Sequence, residues 1–250
     1  MTITAETVTI PVPDGTTMAA YLARPGSGTG GGPAGGPAPV AVIVAHELFA
    51  VNPDIRGVVD RLATAGYLAL APEFYHRATK PGRWLERDDA GRQEGFALLH
   101  QLERDQALAD VDGCRAWLGS RPGIERIAMI GFSAGGHLAY LAACCRPISA
   151  TAVLYGGWLP TTDIPMSRPT PTLDLTPGIT GRLLYVVGDD DTLIDAGQRD
   201  EIRAALEKGQ IDYELVSHPN TGHAFFWPDT PMFNEKARDD TWTRILRMLS

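Results

Sequence analysis

The sequence predicts an α/β fold, with an open, mostly parallel sheet of about eight strands and helices on both of its faces. Short apolar runs alternate along the chain with longer segments of helical pattern, which is typical of right-handed crossovers between parallel strands. The runs are apolar without interruption, as expected of strands buried on both faces. The length of 250 residues fits one large domain of this class, so residues 1–250 are predicted to form a single domain.

The first predicted element is an antiparallel hairpin. Two strand-like segments flank Asp14-Gly15, a dipeptide that favours tight hairpin turns. Residues 26–39 are rich in glycine and proline and are interpreted as a flexible surface loop, because they offer little apolar surface to bury. The remaining apolar runs are predicted as strands over residues 40–45, 67–71, 126–130, 151–155, 182–187 and 212–216.

Helices are predicted between these strands. The first begins at Asn52-Pro53, a cap followed by a favoured first residue, and ends at Gly66. Asp195 is interpreted as the cap of a later helix, and Thr230-Pro231 is expected to open the last one. The other helices are predicted over residues 93–119, 136–146, 196–208 and 231–249.

Composition narrows the class of partner. The chain has 22 Lys and Arg against 30 Asp and Glu, a net charge of −8, so it lacks the basic excess that nucleic acids and anionic membranes require. No secretory signal pattern is visible, and no apolar run approaches the roughly 18 residues of a membrane span. A cytoplasmic location is therefore expected. The three cysteines lack metal-site spacing and are interpreted as reduced core residues.

The strongest chemical signal is Gly131-Phe132-Ser133-Ala134-Gly135, which lies between a predicted strand and a predicted helix. A hydroxyl can be presented from a sheet only if the chain turns sharply at the serine. Glycines two positions before and after remove side chains that would collide in that turn. Ser133 is therefore predicted to be a nucleophile on a strand–turn–helix elbow.

A serine nucleophile needs a base and a group that orients the base. Both follow predicted strands: Asp189, Asp190 and Asp191 come after one, and His223 follows the next. The order Ser, Asp, His is that of α/β hydrolases. Asp191 is favoured among the three aspartates because it lies furthest past its strand. The pattern predicts acyl transfer by a Ser-His-Asp triad, without a cofactor and without a metal.

From about Pro39 to the C-terminus the sequence resembles the dienelactone hydrolase family. The resemblance rests on VAVIVAHELFAVNPDIRGVVDRLATAGYLALAPEFYHR and on the GFSAGG, GDDD and GHAF motifs. It implies an α/β-hydrolase fold, Asp191 as triad acid, and an oxyanion hole formed by the backbone N–H groups of Leu48 and Ala134. It also implies that the Glu47 carboxylate influences the protonation of the nucleophile; alternatively, Glu47 pairs with a basic residue such as Arg56.

Two departures from that family bear on the substrate. Its well-known members use cysteine where this chain has Ser133, and they bind the substrate carboxylate through two arginines. Arg92 matches the first arginine or is a surface residue, whereas Trp227 stands at the position of the second. The sequence therefore predicts hydrolysis of small esters or lactones, preferably neutral and apolar. The alternatives are a dienelactone hydrolase proper, a peptidase or thioesterase, or a ligand-binding protein with a silent triad. The chain is expected to be a monomer or a homodimer.

Overall fold

The computed structural model describes residues 2–26 and 40–250, and these residues form eight strands and six α-helices, with three strands before the first helix. Residues 27–39, which carry most of the predicted flexible loop, lie outside the described residues. The strands are β1 (Ile3–Pro11), β2 (Thr17–Pro25), β3 (Val40–Ala45), β4 (Leu68–Pro72), β5 (Arg126–Phe132), β6 (Ala150–Leu154), β7 (Arg182–Gly188) and β8 (Tyr213–His218). The helices are α1 (Pro53–Thr64), α2 (Asp89–Leu99), α3 (Arg104–Gly119), α4 (Ala134–Cys145), α5 (Ala196–Lys208) and α6 (Glu235–Leu249).

The chain divides into two compact units, Met1–Met129 and Ile130–Ser250, and the boundary falls within β5. In the first unit the strand order is β1-β2-β4-β3-β5. The predicted hairpin is confirmed, because β1 pairs antiparallel with β2 across the Asp14-Gly15 turn. β2 is also antiparallel to β4, whereas β3 and β4 are parallel. The single domain over 1–250 stays a prediction.

In the second unit the order is β5-β6-β7-β8, and the pairs β6–β7 and β7–β8 are parallel. The predicted burial on both faces is most complete for the two strands in the middle of this order, β6 and β7. Every residue of β6 is buried, and so is every residue of β7 except Arg182. β8 stands at the edge and is mostly half-buried. The carboxyl ends of parallel strands share one edge of the sheet, where ligands of open α/β folds bind.

Caps decide where the helices begin, and two predicted boundaries are wrong for that reason. The helix predicted over 93–119 is two helices: α2 begins early because the Asp88 side chain accepts from the Gly91 N–H, and a turn at 100–103 separates it from α3. The last helix starts at Glu235 rather than Pro231, because the Asn234 side chain caps it. The predicted Asp195 cap is confirmed, since its carboxylate accepts from the Gln198 N–H at 2.9 Å.

Candidate active site

Ser133 occupies the single-residue turn between β5 and α4. Its φ of 51° and ψ of −115° lie in a region that non-glycine residues rarely adopt, at a cost on the order of 1–3 kcal/mol. The Ser133 N–H donates to the carbonyl of Leu154, the last residue of β6, at 2.9 Å. A Cβ at Gly131 would lie 2.0 Å from the Gly135 carbonyl oxygen. The turn can therefore form only because position 131 has no side chain.

The hydroxyl of Ser133 is in contact with His223, which follows β8. Ser133 Oγ lies 3.0 Å from His223 Nε2, and His223 Nδ1 lies 2.8 Å from Asp191 Oδ2. A carboxylate accepts only from a protonated nitrogen, so the bond to Asp191 fixes the tautomer in which Nδ1–H donates and Nε2 accepts from the serine hydroxyl. The His223 side chain is 21% exposed and that of Asp191 is fully buried. The base is therefore reachable from solvent, while its orienting carboxylate is not.

Asp191 differs from its two neighbours in burial and in partners. Its second oxygen, Oδ1, accepts from the Leu193 N–H at 2.9 Å, so hydrogen bonds hold both oxygens of the buried carboxylate. Asp189 and Asp190 are exposed. These two aspartates contribute through their backbone to the connection between the loop after β7 and the chain around His223.

The loop after β7 and the histidine loop are tied together along their backbones. Asp189 N–H donates to the His218 carbonyl at 2.9 Å, and Asp190 N–H donates to the Thr221 carbonyl at 3.0 Å. A Cβ at Gly188 would lie 1.9 Å from the Thr221 carbonyl oxygen. Glycine at position 188 thus lets the two loops approach closely enough for the Asp191 carboxylate to contact the imidazole.

The chain beyond His223 folds back instead of continuing into a helix. Thr230 Oγ1 donates to the Trp227 carbonyl at 3.0 Å, and Asn234 N–H donates to the Phe225 carbonyl at 3.0 Å. Trp227 is only 2% exposed, and its ring lies 4.6 Å from that of Phe132. The aromatic segment after the histidine is thus part of the core beside the elbow.

Arg92, the other predicted substrate contact, lies on the surface of α2. Its side chain is 63% exposed and forms an ion pair with Asp89 one turn earlier, at 3.0 Å. This is the surface arrangement that the sequence left open as the alternative for Arg92.

Glu47 follows β3 and is 3% exposed. Its carboxylate accepts from Arg87 Nε at 2.9 Å and from Arg87 Nη2 at 2.7 Å, and Arg87 also bonds to Asp54. Burial lowers the pKa of Arg87, but the adjoining Glu47 and Asp54 carboxylates together outweigh that effect and the net shift is upward. Glu47 is thus held in an ion pair, although with Arg87 and not with Arg56, whose guanidinium lies over the ring of Tyr21.

Leu48 and Ala134, the predicted oxyanion-hole residues, lie at the expected points of the chain. Leu48 is in the loop after β3 and is 9% exposed. Ala134 is the first residue of α4, where backbone N–H groups have no partner within the helix. Sequence reasoning did not single out Arg87 or Tyr155, whose ring lies 4.9 Å from that of His223. Tyr155 could have been found, because it is the last residue of the strand predicted over 151–155, at the end of the strand beyond which the triad residues follow theirs.

Within residues 2–26 and 40–250, no three His, Cys, Asp or Glu side chains are grouped so that they could hold a metal ion. Among the same residues, no helix is both long enough and apolar enough to cross a membrane.

The chain is similar to known hydrolases over almost its whole length. The profile of the dienelactone hydrolase family matches residues 19–250. A Synechocystis protein named "Putative carboxymethylenebutenolidase" is 32% identical, with 99% of this chain and 98% of the relative covered. An Escherichia coli K12 protein of the same name is 33% identical, with 93% and 82% covered.

A solved structure agrees with this assignment. The crystal structure of "Putative Dienelactone Hydrolase" from Klebsiella pneumoniae superposes with a TM-score of 0.85 at 30% identity, covering 100% of this chain and 99% of that one. The match confirms the predicted α/β-hydrolase fold with its eight-stranded, mostly parallel sheet. The chain therefore belongs to the dienelactone hydrolase family and is a carboxylic ester hydrolase of the α/β-hydrolase fold.

Proposed function

We propose that this chain is a serine hydrolase that cleaves small carboxylic esters or lactones through an acyl-enzyme. The observation that carries the proposal is the unbroken series of hydrogen bonds from Ser133 Oγ to His223, at 3.0 Å, and from His223 to Asp191, at 2.8 Å. The first distance is within the range that proton transfer from a nucleophile to its base requires, and the second is that of a hydrogen bond that orients the base. The half-exposed serine and the partly exposed imidazole leave a path for a substrate from solvent.

The proposed reaction has two acyl-transfer steps. Ser133 Oγ attacks the carbonyl carbon while its proton passes to His223 Nε2, and collapse of the tetrahedral intermediate breaks the ester bond. The alkoxide takes the proton from Nε2 and leaves, or stays attached if the substrate is a lactone. Water then attacks the acyl-enzyme by the same route and regenerates the serine. Asp191 keeps its charge throughout and stabilises the imidazolium that forms in each step. No cofactor enters these steps.

The oxyanion of each intermediate is proposed to accept from the backbone N–H groups of Leu48 and Ala134. The place of Ala134 at the start of α4 supports this role, since helix N-termini favour negative charge. Removing one such donor typically raises the barrier by about 3–4 kcal/mol.

The preferred substrate is proposed to be neutral and apolar near the scissile bond. Arg92 is exposed and paired with Asp89, and Trp227 is buried beside Phe132, so neither supports a clamp for a substrate carboxylate. Hydrolysis of dienelactone itself is the second candidate, because relatives above 30% identity, among them the Synechocystis and Escherichia coli K12 proteins, carry the name "Putative carboxymethylenebutenolidase". A Bradyrhizobium relative, 29% identical, is named as a lactonase, which favours including lactones in the substrate class.

Glu47 is proposed to anchor the loop after β3 through Arg87, and not to tune the nucleophile. Its ion pair with Arg87 supports this role. The nucleophile supports it too, because a carboxylate that tunes a thiolate has no corresponding function beside a serine hydroxyl. The cytoplasmic location and the monomeric or dimeric state stay predictions from the sequence.

The test is hydrolysis of p-nitrophenyl esters from acetate to decanoate, with simple lactones and a dienelactone in parallel. Ser133→Ala is expected to lower kcat by several orders of magnitude, and Asp191→Asn by about 10⁴-fold. Asp190→Asn is the matched control, since this neighbouring carboxylate is exposed, and it is expected to keep kcat within about twofold. Unchanged turnover in Ser133→Ala would overturn the proposal, and efficient dienelactone turnover would overturn the preference for neutral substrates.

A further inference from the structure

Tyr155 follows β6 in a backbone conformation that a bulky residue rarely adopts. Its φ is 41°, in the left-handed region, where a bulky side chain is strained and the conformation persists only if the surroundings impose it. The surroundings here do so: the Tyr155 N–H donates to the Val186 carbonyl of β7 at 2.7 Å, and the residue is 0% exposed. Strain of this kind is concentrated at functional sites.

The strained backbone directs the tyrosine ring to the imidazole of His223. The ring centroids are 4.9 Å apart and the planes meet at 64°, which is the edge-to-face arrangement that aromatic pairs favour. Phe225 supports the tyrosine on another side, at 5.3 Å and 72°. The imidazole thus has a rigid aromatic neighbour in addition to its two hydrogen-bonding partners.

The two hydrogen bonds of His223 leave one motion uncontrolled. They are made at the two ring nitrogens, Nε2 and Nδ1, whose lone pair and N–H bond lie in the plane of the imidazole. They therefore resist in-plane displacement more than tilting about the line joining the two nitrogens. The edge-to-face contact with Tyr155 blocks this tilt.

We infer that Tyr155 is a positioning residue for the proposed reaction, with its ring holding the His223 imidazole at the tilt that proton transfer from Ser133 requires. This inference rests on the proposed function, because Tyr155 has the role assigned to it only if His223 acts as the base. The hydroxyl of Tyr155 has no part in it, so the ring alone should be sufficient.

The test compares Tyr155→Phe, which keeps the ring, with Tyr155→Leu, which removes it and keeps an apolar side chain. Tyr155→Leu is expected to lower kcat about 100-fold with little change in KM, since small misplacements of catalytic groups have effects of this size. Tyr155→Phe is expected to restore kcat to within about threefold of the wild type. Tyr140→Leu is the matched control, because Tyr140 is also fully buried in this unit and its hydroxyl bonds to Thr176 Oγ1 at 2.6 Å, not to a triad residue. It is expected to lower thermal stability without the loss of kcat.

Labelling of Ser133 by a fluorophosphonate distinguishes the two possible failures. Absence of labelling in the wild type would overturn the proposed function and this inference with it. The inference alone would be overturned by a different result. In that case the wild type is labelled rapidly, and Tyr155→Leu is labelled and turns over substrate as fast as the wild type. A loss of kcat in Tyr140→Leu equal to that in Tyr155→Leu would also overturn it, because the effect would then follow the loss of core volume and not the contact with His223.

Discussion

Acidification is expected to destabilise this protein through His46, a buried histidine outside the triad. His46 is 4% exposed and packs against the rings of Phe74 and Tyr75, with centroids 5.7 and 4.8 Å away. Its Nδ1–H donates to the Glu47 carbonyl at 2.7 Å, and Nε2 has no hydrogen-bond partner among the described residues. Burial lowers the pKa of His46 from 6.5 to about 4, against the opposing effect of the bond to Glu47.

The size and sign of the effect follow from this shift. The unfolded chain takes up a proton at His46 as the pH falls through about 6.5, whereas the folded chain stays neutral there until about pH 4. The stabilising contribution of the neutral histidine is therefore complete above pH 6.5, declines below it, and is lost once the pH falls to about 4. A shift of about 2.5 units corresponds to about 3 kcal/mol in total, of which about 2 kcal/mol is lost between pH 7 and pH 5.

The assay is urea unfolding of the wild type and His46→Asn at several pH values between about 7.5 and 4.5. Asparagine does not titrate, and its amide can donate to the Glu47 carbonyl from nearly the position of Nδ1. The variant is expected to be less stable at pH 7, but its free energy of unfolding should fall about 2 kcal/mol less than that of the wild type between pH 7 and pH 5. Parallel pH dependences for the two proteins would refute the reasoning, since the acid sensitivity would then come from other groups.

Two further predictions concern a buried carboxylate and the elbow. Asp110 is fully buried and bonds to the Arg77 guanidinium with both oxygens at 2.8 Å. Because Arg77 keeps its ion pair with Asp14, Asp110→Ala is expected to lower the free energy of unfolding by about 1–3 kcal/mol in urea titrations. Unchanged stability would contradict this. Gly131→Ala, whose methyl group would overlap a carbonyl oxygen of the elbow, should slow fluorophosphonate labelling of Ser133 at least about tenfold, since misplacing a reacting group by about 1 Å can cost about 100-fold. Gly119→Ala is its control, since a Cβ there meets no atom within 4 Å, and equal labelling rates in the two variants would count against the steric argument.

The strands and the elbow could be predicted from the sequence because local rules determine them. The uninterrupted apolar run that became β7 and the glycines around Ser133 have steric or solvation causes that are visible in a few adjacent residues. The order in which Asp191 and His223 follow their strands is also visible in adjacent residues. In the structure, His223 forms hydrogen bonds with both Ser133 and Asp191.

The features that sequence reasoning missed depend on contacts between distant segments. Arg87 lies in a segment without periodic pattern, and only the folded chain shows that it pairs with Glu47, 40 residues earlier. Trp227 follows the predicted base closely enough to suggest a pocket wall, yet it is buried against Phe132 because the chain turns back at Thr230. That turn-back also explains the misplaced start of α6, since Thr230 bonds to carbonyls of the preceding turn instead of capping a helix.

The backbone ties between the loop after β7 and the histidine loop restrict how this enzyme can change. Because Gly188 has no room for a side chain and Asp190 is bonded to Thr221, an insertion in either loop would separate the base from its carboxylate. Selection for a new substrate, natural or in the laboratory, should therefore leave these two loops at constant length. Variation in length is expected instead in the segments over 74–86, between β4 and α2, and over 156–181, between β6 and β7, which carry none of the triad residues.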